Sequence, residues 1–295
     1  MNLLAVYWDV DPVIFSIWKI DIRYYSLFFI IAFAIGYYIF KGFFKREGVP
    51  LKLLDPLLYT LIIGTLLGAR LGHCLFYQPD YYLANPIEIL YVWEGGLASH
   101  GGAIALLLAM WWFAHHYGRK NHFSFLWIMD RLGIATALAG FFIRMGNLMN
   151  SEIYGNETTL PWGFVFLRNG EVVPKHPTQL YEALSYLLLF VLLLFLYRKK
   201  LNRLKEGTLF GLFLLVLFAA RFFIEYIKEP QVAFEETMAL NMGQLLSIPF
   251  IFAGAILMLY SIMRGKPAMR IDPAEKIQEK KQEKKPPLSS TRGTY

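Results

Sequence analysis

Only one cysteine, Cys74, occurs in 295 residues. A single thiol excludes an intrachain disulfide and any site built from several cysteines. Charge is scarce as well: 17% of residues are Asp, Glu, Lys or Arg, against about 25% in soluble domains. The first residues, MNLLAVYWDVD, lack a basic n-region, so no cleavable leader is expected. Neither an HExxH pair nor a GxSxG elbow is present, which removes two common hydrolase motifs. The histidines and carboxylates show no metal-ligand spacing, and neither a metal nor a cofactor is expected.

What is plentiful is apolar surface, at 56% hydrophobic and 17% aromatic residues. Runs of about 20 apolar residues recur, the length that crosses ~30 Å of hydrocarbon. They predict an all-α membrane bundle of seven spans, at 24–42, 54–77, 98–117, 125–149, 179–197, 208–227 and 242–263. Residues 1–263 form one membrane unit in this reading. Residues 264–295 form a basic, solvated cytoplasmic tail without fixed structure.

Basic residues alternate between connections. Loops 43–53, 118–124 and 198–207 and the tail are rich in Lys and Arg, whereas 78–97 has none and 228–241 has only Lys228. The longer connection 150–178 holds Arg168 and Lys175. By the positive-inside rule, the N-terminus is outside and the C-terminus cytoplasmic. The +7 net charge thus reports topology and gives no reason to expect nucleic acid.

That orientation gathers polar residues at one depth. Tyr25 opens span one, Arg70 and His73 close span two, and His100 opens span three. Arg144 and Asn147 lie late in span four, on one helix face at i,i+3, followed by Asn150 and Glu152. Arg221, Glu225 and Lys228 follow at i, i+4 and i+7 in span six. A charge inside the bilayer is costly unless it faces protein or a wet cavity. A polar cavity toward the outer face is expected, with arginine forks suited to a phospholipid phosphate. The alternatives are structural: an Arg221–Glu225 ion pair, a snorkelling Arg144, an Arg70 that serves close helix approach at Gly64 and Gly68, and a satisfied interfacial His100.

The stretch RMGNLMNSEIYG (144–155) resembles the signature of the prolipoprotein diacylglyceryl transferases, a bacterial inner-membrane family. Arg144, Gly146, Asn147, Asn150, Glu152 and Gly155 match it. DPVIFSI, GARLGHCLFY, WEGGLASHGG, HPTQLYEA, RFFIEYIKEP and MGQLLSIP extend the likeness from about residue 9 to 264. Ile143, Leu148, Arg23 and Lys228 depart from the family pattern. The resemblance implies seven helices with a small periplasmic head, helped by 78–97 and 150–178. It also implies transfer of a diacylglyceryl group from phosphatidylglycerol to the lipobox cysteine of a prolipoprotein. His100 is then the expected base, with Tyr25 as the alternative. Arg144 and Arg221 are expected to stabilise the leaving phosphate. Asn147, Asn150, Glu152, Gly155 and Glu225 complete the expected lipid site. A transporter would instead show broken helices, midplane polar groups and internal repeats.

Overall fold

Hydrocarbon offers no hydrogen bonds, so a spanning chain must satisfy its own backbone as helix. The computed structural model describes residues 5–18, 20–92, 95–230 and 238–268. The expected tail from 269 onward lies outside them. So do 231–237 of the connection 228–241, and Trp93 and Glu94 of WEGGLASHGG.

The helices are α1 (Tyr24–Glu47), α2 (Leu54–Phe76), α3 (Pro79–Ala84), α4 (Ser99–Phe113), α5 (Arg119–Asn121), α6 (Phe125–Met149), α7 (Thr178–Lys200), α8 (Thr208–Ile224) and α9 (Met242–Arg264). Among the described residues six, α1, α2, α6, α7, α8 and α9, are long and apolar enough to cross a membrane. The remaining expected span, 98–117, is α4, which passes through one π-helical turn, Ala114–Gly118, into α5. Predicted and observed bounds of α6 coincide, because Ser124 marks the start: its Oγ accepts from Trp127 N at 3.0 Å. An Asn241–Gln244 capping box starts α9.

Two short β pairs accompany the helices. Strands β2 (Val13–Ile17) and β3 (Ile20–Arg23) form an antiparallel hairpin ahead of α1. Strand β1 (Val6–Trp8) runs parallel to β4 (Phe164–Phe166). Trp8 Nε1 also donates to Leu148 O at 3.0 Å, which ties the N-terminal segment to the end of α6.

Helices α2 and α4 approach backbone to backbone. A Cβ on Gly72 would lie 2.7 Å from Gly101 Cα, and one on Gly68 2.7 Å from Gly101 O. This contact needs hydrogen in place of a side chain, as small-residue membrane interfaces do. Large apolar side chains such as Ile30, Leu108, Leu188, Phe252 and Ile256 remain exposed around the bundle, as expected of surfaces that meet lipid tails.

The dry core sits at the end where α1 finishes and α6 begins, with Phe40, Phe44, Leu57, Phe113 and Trp127 buried together. Within it lies a charged pair. Arg131 and Glu47 are buried and meet at 2.6 Å. Glu47 also accepts from Trp127 Nε1 at 2.8 Å and Tyr197 OH at 2.7 Å. Arg131 donates further to Trp127 O and Ala268 O. Nearby, Asp130 accepts from Gly207 N and Phe210 N, both at 2.8 Å, and so caps the start of α8.

Removing one partner strands the other charge, so Arg131→Ala should destabilise the bundle by about 3–5 kcal/mol. The double change Glu47→Leu with Arg131→Met should recover much of that loss. Thermal unfolding in detergent micelles, compared across the three chains, checks both.

Candidate functional site

At the opposite end of α6 the helix carries Arg144 and Asn147 and runs into a loop that carries Asn150 and Glu152. Arg144 Nε contacts Glu182 Oε2 at 2.8 Å. Its NH1 donates to Asn147 Oδ1 at 2.9 Å, the i,i+3 neighbour. Asn147 Nδ2 donates to Glu152 Oε1 at 2.7 Å, and Asn150 Nδ2 reaches the same oxygen at 3.3 Å. A continuous chain of polar contacts therefore links helix and loop. Tyr25 closes one side: a Cβ on Gly146 would lie 2.7 Å from its ring. The Tyr25 phenol is within electrostatic reach of Glu152 and Arg144.

The loop backbone is strained and clamped. Ser151 and Ile153 have φ of 53° and 62°, and a β-branched residue there is a genuine outlier. Each carbonyl in the turn has a partner. Asn169 Nδ2 donates to Ser151 O at 2.7 Å, Gln179 Nε2 to Glu152 O at 2.8 Å and Thr178 Oγ1 to Ile153 O at 2.8 Å. The start of α7 thus holds the Glu152 turn against α6.

Glu182, fully buried in α7, is the group that sequence reading missed. It faces two cations, Arg144 and Lys228, the latter at 3.3 Å. Lys228 is buried too and pairs with Glu225 at 3.1 Å. The signal was present: Glu182 is the one charged residue in the predicted span 179–197, inside HPTQLYEA. Lys228, set aside as a departure, is a central cation of this cluster. Arg23 is not, being exposed and 3.9 Å from Asp21.

Of Arg221, Glu225 and Lys228, expected on one face, Glu225 and Lys228 pair. Helix α8 ends at Ile224 and Glu225–Ile227 is a 3-10 turn, but the Glu225 N–H still donates to Arg221 O, so the i,i+4 relation between these two persists. The alternative Arg221–Glu225 ion pair is not made among the described residues. Arg221 is half-buried, and no hydrogen bond or ion pair engages it among the described residues. It lies within electrostatic reach of Tyr186. Gly155 serves packing: a Cβ there would collide with Ile227 O and meet Thr178 Cγ2 at 2.7 Å.

His100 is exposed at the start of α4. Among the described residues no hydrogen bond or ion pair joins it to this group. Arg70 has its donors occupied. They reach Ile89 O, Gly95 O and Glu88 O at 3.0, 2.6 and 2.5 Å, so Arg70 serves as a clamp on residues 88–95. His73 stacks on Tyr77.

Beyond the spans, Lys175 gathers Glu229, Glu171 and Glu157 at 2.6, 3.5 and 3.8 Å. Burial alone would lower its ammonium pKa, but Glu229 and Glu171 outweigh that and raise it. Burial draws neighbouring His176 below the ordinary imidazole value.

The family model described as prolipoprotein diacylglyceryl transferase matches residues 12–260. Among curated proteins, the phosphatidylglycerol–prolipoprotein diacylglyceryl transferase of Tolumonas auensis is 50% identical over 256 residues, covering 87% of this chain and 97% of that one. The protein of the same name from Porphyromonas gingivalis is 46% identical over 269 residues, covering 86% and 94%. That from Bacteroides fragilis is 41% identical over 270 residues, covering 88% and 96%.

Neutralising Glu182 should leave two cations facing an amide. Glu182→Gln is expected to lose about 3 kcal/mol or more of stability. Adding Lys228→Met should return part of it, since one of the two stranded charges goes. Thermal melts of the single and double variants in micelles would settle this; no difference between them would refute the shared-carboxylate account.

Proposed function

The chain belongs to the prolipoprotein diacylglyceryl transferase family, and from that premise we propose that it transfers a diacylglyceryl group from phosphatidylglycerol to the lipobox cysteine of prolipoproteins. This is the first step of lipoprotein maturation. The observation that carries the site assignment is Arg221, a half-buried guanidinium that no hydrogen bond or ion pair engages among the described residues, in the helix that leads to the Lys228–Glu225 pair. A half-buried, unmatched cation at bilayer depth is costly, and a lipid phosphate would match it.

The chemistry is an alkyl transfer. The substrate thiol, with a free pKa of about 8.5, loses its proton to a base and its sulfur attacks glycerol C3. The C3–O bond to phosphate breaks, a thioether forms and glycerol phosphate leaves with the electron pair. His100 is the proposed base, with Tyr25 as the second choice, because an imidazole titrates near neutral pH. Arg144 and Arg221 bind and stabilise the leaving phosphate. Glu182 already offsets much of the charge on Arg144. Arg144 is therefore the orienting group, with Asn147, Asn150 and Glu152, and Arg221 supplies the uncompensated field. Gly155 and Glu225 shape the surround.

The topology belongs to the same proposal: seven spans, N-terminus outside, C-terminus cytoplasmic, in the bacterial inner membrane. Alternating basic loops support the orientation. Helical backbone from Ser99 to Asn121 supports the seventh span; at 1.5 Å per residue it reaches about 34 Å. Residues 78–97 and 150–178, joined by the strands near the N-terminus, form the proposed periplasmic head.

Purified protein, phosphatidylglycerol and a lipobox peptide should yield a peptide heavier by one diacylglyceryl group, only when the cysteine is present. Arg221→Ala should cut the rate about 100-fold or more, and Arg144→Ala should lose lipid binding. His100→Gln should abolish transfer while lipid still binds; full activity in that variant would remove His100 from the mechanism.

A further inference from the structure

A partly open apolar cavity of about 220 Å³ lies among α1, α2, α4 and α6. Its extent repeats on three helices. The lining runs from Phe29 to Phe40 on α1, from Leu54 to Thr65 on α2 and from Leu132 to Ile143 on α6. Each interval is eleven residues, about 16 Å of helix. That is about half of the ~30 Å hydrocarbon thickness, the depth of one leaflet. The cavity is thus a slot along the helices, as long as one lipid tail is deep.

Its outer end lies under the candidate site. Phe29 lies one helical turn below Tyr25, and Ile143 one turn below Gly146, whose backbone packs on the Tyr25 ring. Its floor is the dry core, where Phe40, Leu54 and Leu57 are buried. Tyr37 beside the floor spends its hydroxyl on Asp55 at 2.9 Å.

Gly36 lines the slot, and a Cβ built on it meets no atom within 4 Å. Gly68 and Gly72 are glycines because another backbone touches them. Gly36 has no such neighbour, although glycine is a poor helix former. What its missing side chain provides is empty volume inside the slot. From this geometry we propose that the slot gauges the length of one acyl chain of the transferred glyceride, with Gly36 keeping it open and Phe40, Leu54 and Leu57 ending it. The proposal rests on the transferase reading above.

The test is competition. Dilauroyl and dipalmitoyl phosphatidylglycerol are mixed at equal concentration with a lipobox peptide, and the two products are counted by mass. Gly36→Phe should raise the dilauroyl-to-dipalmitoyl product ratio about tenfold or more over the unaltered chain, since steric fit in an apolar pocket discriminates on that scale. Leu57→Ala deepens the floor and should move the ratio toward the longer chain, so the idea stays exposed if Gly36→Phe does not fold. Ratios equal to that of the unaltered chain in the variants that fold overturn the gauge and leave the transferase reading intact. No product from the unaltered chain with either lipid overturns the transferase reading itself, and the gauge with it.

Discussion

A carboxylate buried between two cations holds the polar end of this bundle together. Glu182 exposes no surface and answers both Arg144 and Lys228. Each ion would be prohibitive alone in hydrocarbon, so their positions are mutually required. Through Arg144 the contact reaches Asn147 and Glu152 on α6 and its loop; through Lys228 it reaches Glu225. Three separate stretches of chain, 144–152, α7 and 225–228, are brought to one place by a single side chain on α7.

The two ends of the bundle solve the same electrostatic problem differently. At the dry end, Glu47 and Arg131 satisfy one another with Trp127, Tyr197 and Ala268 completing the shell. That set is closed. Among the described residues the polar end is left open at Arg221, which no hydrogen bond or ion pair engages. Aromatic packing surrounds the first cluster, whereas the second meets a strained loop whose carbonyls are individually clamped. Rigidity at one end and an incomplete charge balance at the other suit a scaffold that must hold an anionic lipid headgroup in one orientation.

Helix positions were largely legible in the sequence because apolar run length is a direct reading of bilayer thickness. Cap chemistry at Ser124 made the α6 boundary coincide with expectation. Depth was legible as well: Tyr25, Arg144, Asn147, Asn150 and Glu152 do meet. Facing was less so. The i, i+4, i+7 spacing of Arg221, Glu225 and Lys228 did not say which of them would pair: Glu225 pairs with Lys228 and, among the described residues, not with Arg221. Glu182 was passed over because an isolated acid gives no spacing to read, although its isolation in an apolar run was itself the clue. Pairing of β1 with β4 joins residues far apart in the chain, and no local pattern announces it.

Ala268 gives the chain a practical lower edge. It lies past the end of α9 and is fully buried, its carbonyl accepts from Arg131, and the preceding Lys266 O accepts from Glu206 N. The last helical turn is therefore not where the folded unit stops. A purification tag or fluorescent protein joined directly after Arg264 would tear this short strap from the base of the bundle, whereas a junction beyond Ala268 leaves it seated. The boundary for building shortened or fused versions is set by a hydrogen bond to Arg131 rather than by the end of hydrophobicity.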